Sequence, residues 1–119
     1  MNEYDRPTPE ILVRPLAEII RDKSATRDWL LIDVRTEEEF HAAHVAETDI
    51  VISHDELEFR LNELASYQQR TIYCICRSGR RSAYTTDLLI ANGFSRVFNV
   101  VGGVIAWVNA GFELVPTKK

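Results

Sequence analysis

Short apolar runs alternate with amphipathic stretches along this chain, and the two patterns have different periods. Trp29-Leu-Leu-Ile-Asp-Val34 is apolar at five of its six positions. A run of that length between polar flanks reads as a strand buried on both faces. Asp49–Ile52, Thr71–Ile75 and Val97–Val100 follow the same pattern, and Ile11–Val13 is a weaker example. Between these runs the period changes. Leu16, Ile19 and Ile20 keep the i, i+3, i+4 spacing of one helix face; Leu57, Leu61 and Leu64 line a second, and Tyr84, Leu88 and Ala91 a third. Thr36 with Glu39, and Ser53 with Glu56, have the spacing of a capping box. Asn92-Gly93 predicts a left-handed close to the third helix, and a last short helix is expected over 104–109, ending at Gly111. Strands separated by helices argue for an α/β fold around a parallel sheet. In such sheets ligands meet the carboxyl ends of strands, where the chain turns into a helix.

Composition narrows the function. A chain of 119 residues is one domain's worth, long enough to bury roughly 65% of its unfolded surface. The net charge of -4 disfavours nucleic acid as a general partner. No apolar run is long enough to span a membrane. The start, MNEYDRPTPE, has no basic stretch followed by an apolar core, so no secretory leader is expected. Two cysteines without such a leader point to a reducing, cytoplasmic setting and free thiols. Residues 1–8 and 116–119 are expected as loose tails around a domain over 9–115. His41, His44 and His54 are scattered, and no metal site is expected.

The densest chemistry lies in Ile72–Ser82, IYCICRSGRRS. Cys76 follows the expected strand Thr71–Ile75 and precedes a helix starting near Arg81. The thiolate, not the thiol, is the nucleophile, and main-chain N–H groups at a helix start stabilise it. Gly79 lets the chain curl so that successive N–H groups point inward as an anion nest. Arg77, Arg80 and Arg81 add fixed charge, and guanidinium forks match tetrahedral oxyanions. Cys76 therefore has the surroundings of a reactive sulfur with a lowered pKa and a bound anion. The reading requires that sulfur to be ionised and open to solvent, not turned into the interior. Cys74 sits within the strand, where a cysteine is ordinarily an inert core residue. Its other readings are a resolving thiol, although an i, i+2 disulfide would be strained, or half of a metal site. Counted from Cys74, the letters CICRSGR also satisfy the Cys-x5-Arg pattern of cysteine-dependent phosphatases. That frame puts its nucleophile inside a strand, and counting from Cys76 puts Ser82 where the arginine is required.

Five segments together resemble the rhodanese homology domain: LIDVRTEEEF (31–40), AHV (43–45), YCICRSGRRSA (73–83), NGFSRVFNVVGG (92–103) and IAWVNAG (105–111). The resemblance implies a central parallel five-stranded sheet flanked by helices on both faces. It also implies a sulfurtransferase that moves sulfane sulfur from thiosulfate or a persulfide donor to a thiophilic acceptor through a Cys76 persulfide. The acceptor is cyanide, a thiol or a carrier protein, and no cofactor is needed. The family's six-residue loop falls on Cys76-Arg77-Ser78-Gly79-Arg80-Arg81; related phosphatases use a loop one residue longer. Arg77, Ser78, Gly79, Arg80, Arg81 and Ser82 are the expected substrate-binding residues. Asp33, Arg35, His44, Gly102 and Gly103 are expected as structural residues near the site. The family's Gly before His44 is Ala43 here, and its Pro-Gly-Ala after Val45 is Ala46-Glu47-Thr48. Glu47 is thereby a candidate for selecting the acceptor at the site's mouth. A phosphatase or arsenate reductase, and a docking module without turnover in a sulfur relay, are the alternative functions.

Overall fold

The computed structural model describes residues 7–24 and 26–118. Its elements are β1 (Glu10–Ile11), α1 (Val13–Arg21), β2 (Trp29–Asp33), α2 (Glu37–Ala42), β3 (Ile50–Val51), α3 (His54–Leu57), a 3₁₀ helix (Leu61–Tyr67), β4 (Thr71–Ile75), α4 (Arg80–Ala91), β5 (Arg96–Val100) and α5 (Gly103–Asn109). The strands form one five-stranded sheet in the order β1-β5-β4-β2-β3, with every pair parallel. The expected α/β architecture is therefore present.

Both faces of the sheet are covered, which is why β2 is buried at every position and reads as a continuous apolar run. On one face α1 and α5 bring Leu16, Ile20, Val104 and Trp107 onto Leu31, Tyr73 and Ile75. On the other, Leu57, Leu64, Leu89 and Phe94 cover Ile32, Ile72, Cys74 and Val97. Each fully buried Leu or Ile contributes roughly 1.5–3 kcal/mol through removal from water.

Two local signals are formed as the sequence predicts. The Thr36–Glu39 capping box is formed in both directions. Gly93 takes a left-handed φ of 93° after the C-cap residue Asn92. Other expectations fail for identifiable reasons. The strand expected over Ile11–Val13 is limited to Glu10–Ile11, because Val13 already begins α1. Pro15 fits that helix's first turn, where its missing N–H has no partner to lose. Ser53 makes no side-chain cap; its hydroxyl bonds Asp55, while Glu56 pairs with Arg60. The single helix expected through Leu57, Leu61 and Leu64 is two pieces, since α3 stops at Leu57 and a 3₁₀ helix resumes at Leu61. Leu57 and Leu64 still reach the core.

α4 turns a different face inward from the expected one. Tyr84 is 55% exposed, whereas Ser82, Thr85, Thr86 and Leu89 are buried. The Thr85 and Thr86 hydroxyls donate to the Ser82 carbonyl at 3.0 and 2.7 Å, so this polar face is satisfied inside the helix. Within the expected carboxyl-terminal tail, the Thr117 N–H donates to the His41 carbonyl at 3.0 Å. Residues 1–6 and 119 of the expected tails lie outside the described residues.

Candidate active site

β4 delivers Cys76 to the carboxyl edge of the sheet, and the chain then curls into α4. Gly79 makes the curl possible. It is the N-cap residue of α4 with φ +97°, and a Cβ there would lie 3.1 Å from the Gly102 nitrogen. The curl turns donors onto the sulfur. Cys76 Sγ accepts from the Gly79 N–H at 3.1 Å and the Ser82 N–H at 3.4 Å, and Ser82 Oγ lies 3.2 Å away. The loop's carbonyls face the other way. Val104 and Ile105, in the first turn of α5, donate to the carbonyls of Cys76 and Arg77 at 2.9 and 3.1 Å. The loop is thus held by one helix start through its carbonyls and turns its amides to the sulfur. Gly102 and Gly103 permit that fit: a Cβ on Gly103 would fall within 2.6 Å of the Arg77 carbonyl group.

Burial pushes the Cys76 thiol up, but the Ser82 hydroxyl and the N–H groups of Ser82, Gly79 and Ser78 outweigh it. The thiol is held below the ordinary thiol value. Cys74 shows burial with weaker compensation. It is 0% exposed, and desolvation raises its thiol to about 11 against smaller help from Thr86 and Thr85. The Cys-x5-Arg frame would make this protonated mid-strand thiol its nucleophile.

The expectation of a sulfur open to solvent needs correction: Cys76 is only 1% exposed. The same curl that directs amides at Sγ folds the loop over it. The rim above, Arg77, Ser78 and Arg80, is exposed, while Gly79 and Ser82 are buried. Arg81 also acts differently from expectation. Among the described bonds no guanidinium donates to Sγ. Arg81 forms a two-point pair with Glu39, Nη1 to Oε1 at 3.0 Å and Nη2 to Oε2 at 3.1 Å. Arg81 feels the sulfur's charge, but its bonds to Glu39 come first.

Asp33 and Arg35 are buried together. Arg35 Nη2 reaches Asp33 Oδ2 at 2.8 Å and the Ala43 carbonyl at 2.7 Å, joining the end of β2 to the end of α2. His44 stacks on Phe40 with centroids 3.9 Å apart, and its Nδ1 meets the Phe40 carbonyl at 2.8 Å. Its main chain bridges to Val115. Beside the loop lies a pocket of about 440 Å³ bordered by Arg35, Glu39, Arg77, Val104, Ile105 and Leu114. Glu47, expected at the site's mouth, lines a different pocket, with Ala17, Arg21, Trp107 and Phe112. Among the described residues no cluster of His, Cys, Asp and Glu is placed to hold a metal ion.

Sequence reasoning did not assign two residues to the site. Glu39 was legible only as a helix cap, and its second bond to Arg81 spans 42 positions. Asn99, on β5, sits opposite Cys74 in the sheet register and bonds both Ser82 and Gly79. An Asn within an apolar strand, 5% exposed, was the available hint.

A family model described as Rhodanese-like domain matches residues 16–110. A sulfurtransferase of Allochromatium vinosum is 34% identical over 90 residues, covering 76% of this chain and 81% of that protein. A putative sulfur carrier protein of Bacillus subtilis, YrkF, is 40% identical over 77 residues, covering 65% of this chain but 40% of that protein. The crystal structure of a rhodanese-like domain protein from Staphylococcus aureus superposes with a TM-score of 0.77 at 28% identity, over 92% of this chain and 99% of that one.

Proposed function

The chain belongs to the rhodanese-like domain family, and from that premise we propose that Cys76 carries a sulfur-transfer reaction with a covalent persulfide. The observation that supports this most is the set of donors around Sγ, which keeps a nearly buried sulfur below the ordinary thiol value. A buried cysteine without such donors stays protonated and unreactive.

In the first half-reaction the Cys76 thiolate attacks the outer sulfur of thiosulfate. The Sγ–S bond forms, the donor's S–S bond breaks with its electron pair, and sulfite leaves. One negative charge stays on the enzyme, now on the outer sulfur of Cys76–S–S⁻. The N–H groups at the start of α4 have no acceptors within the helix; two of them already aim at Sγ, and the set is placed to hold that charge. Arg77 and Arg80 on the rim hold the sulfonate oxygens of the donor and the departing sulfite. In the second half-reaction a thiophilic acceptor, such as cyanide or a thiolate, attacks the outer sulfur and restores the Cys76 thiolate. Neither step needs a general base once Cys76 is in the thiolate form that its lowered pKa favours. With Cys76 only 1% exposed, attack requires the loop to admit the donor's outer sulfur to Sγ.

Whole-protein mass after thiosulfate treatment tests the reading. The expected result is a gain of one sulfur atom, removed by cyanide and absent in Cys76→Ser. A gain that survives in Cys76→Ser and vanishes in Cys74→Ser overturns the choice of nucleophile. No gain, with phosphate released from an aryl phosphate, replaces sulfur transfer by phosphatase chemistry.

A further inference from the structure

Three buried groups meet beneath the loop. Ser82 Oγ lies 3.2 Å from Cys76 Sγ and 2.5 Å from Asn99 Oδ1. A hydroxyl has one proton to donate. The orientation of the Asn99 amide is fixed at its other end. Its Nδ2 lies 3.1 Å from the Gly79 carbonyl oxygen, which only accepts, so the NH₂ group must face Gly79. Oδ1 therefore faces Ser82 and accepts from it. With its proton on Asn99, Ser82 offers the sulfur a lone pair, and only a protonated thiol completes that contact. An ionised sulfur needs the opposite arrangement, with the hydroxyl proton turned to Sγ and Asn99 Oδ1 left without it.

We propose that Asn99 is a positioning residue that competes with Cys76 for the one proton of the Ser82 hydroxyl, holding it while the sulfur is neutral and yielding it when the sulfur is charged. The main-chain donors Gly79 and Ser82 N–H are fixed and make no such choice. Asn99 therefore limits how far the loop stabilises the thiolate. On the sulfur-transfer reading, persulfide formation moves the charge from Sγ to the outer sulfur, and the hydroxyl returns to Asn99. That last step rests on the sulfur-transfer reading; the competition for the proton does not.

Other ionisable groups around the sulfur do not compete for this proton. Arg81 on α4 is paired with Glu39 from α2. Asp33 at the end of β2 is paired with Arg35. Cys74 on β4 is held protonated by burial. β5 brings no ionisable side chain to the loop, its Arg96 bonding Gln69 instead, and α5 carries none.

The test is a double-mutant cycle read as the titration midpoint of Cys76. The midpoint comes from the pH dependence of iodoacetamide alkylation, located by mass, in the full-length chain. It is measured for the unmodified protein, Asn99→Ala, Ser82→Ala and the double variant. Losing the Asn99–Gly79 bond loosens the loop whether or not Ser82 is present, and the Ser82→Ala background isolates that effect. With Ser82 present, Asn99→Ala should place the midpoint about one pH unit lower than that background effect alone accounts for. Equal shifts in the two backgrounds, or a coupling of opposite sign, overturn the proposal. If Asn99→Ala does not fold, near-isosteric Asn99→Asp decides the matter. Its carboxylate holds the hydroxyl more firmly, so it should raise the midpoint further with Ser82 present than in Ser82→Ala. An equal or smaller rise overturns the proposal. A chain that takes up no sulfur from thiosulfate but shows the coupling defeats the functional reading and leaves this one standing.

Discussion

Cys74 and Cys76 lie two residues apart, are 0% and 1% exposed, and pack in the same apolar cluster. Their thiols move in opposite directions, Cys74 up to about 11 and Cys76 below the ordinary value. Burial is common to both and raises both. The difference is the deeper desolvation of Cys74 together with the number and kind of donors: main-chain amides and the Ser82 hydroxyl at Cys76, only weak threonine contacts at Cys74. Apolar packing pushes a sulfur's pKa up, and inward-turned amides at a less deeply buried sulfur bring it down.

The strongest way to break this contrast is to exchange the two sulfurs' fates. Cys76→Ser should lower sulfur transfer by at least about a thousandfold, the scale of removing a covalent nucleophile. Cys74→Ala should leave it within about threefold, at a cavity cost of about 1–2 kcal/mol. Comparable losses in the two variants, measured with thiosulfate and cyanide, would erase the distinction.

Next in size is Gly103→Ala. Its Cβ would strike the Cys76–Arg77 main chain, and its φ of +59° already disfavours a side chain. The loop is displaced from α5 and its amides lose their aim. A fall of about 3 kcal/mol in unfolding free energy is expected, together with a rise in the Cys76 titration midpoint. A variant with an unchanged midpoint would show that α5 does not set the loop's geometry.

pH sharpens the contrast further, because the two thiols contribute stability slopes of opposite sign. Between the ordinary thiol value of 9.0 and about 11, the unfolded chain has released the Cys74 proton and the folded chain has kept it. Stability therefore falls with rising pH across that window, by an amount on the order of 2–3 kcal/mol. Only between its lowered pKa and the ordinary value is the folded Cys76 ionised while the unfolded one is not, so its contribution is lost as pH falls through the lowered pKa. Urea unfolding at stepped pH should show the alkaline slope lessened in Cys74→Ala and the lower-pH slope lessened in Cys76→Ser.

The smallest expected effect is at Glu39→Gln. Glutamine keeps the capping interaction with Thr36 and removes the charge facing Arg81. The Arg81 pair holds the Glu39 carboxyl down at about 2, so its contribution is present above the ordinary carboxylate value of 4.5 and lost as pH falls toward 2. The pair is partly exposed, and less than about 1 kcal/mol is expected at neutral pH. Acid unfolding midpoints of the two proteins should converge near pH 2; a difference that persists there assigns the effect to something other than this pair.

Sequence alone determined the alternation of strands and helices, the Thr36–Glu39 cap, the turn at Gly93 and the position of the cysteine-bearing curl. Each of these depends on neighbours a few residues away, so a linear pattern of residue types carries it. The inward face of α4, the coverage of Cys76, the capture of Arg81 by Glu39 and the contest of Asn99 for the Ser82 proton were decided by the tertiary structure. β4, β5, α2 and α5 meet at the loop from distant parts of the chain. Bonds such as Ser82–Asn99, 17 positions apart, exist only once parallel pairing has fixed which residues stand opposite each other. Periodicity records which side of an element is apolar; it does not record which polar group will find its partner across the sheet.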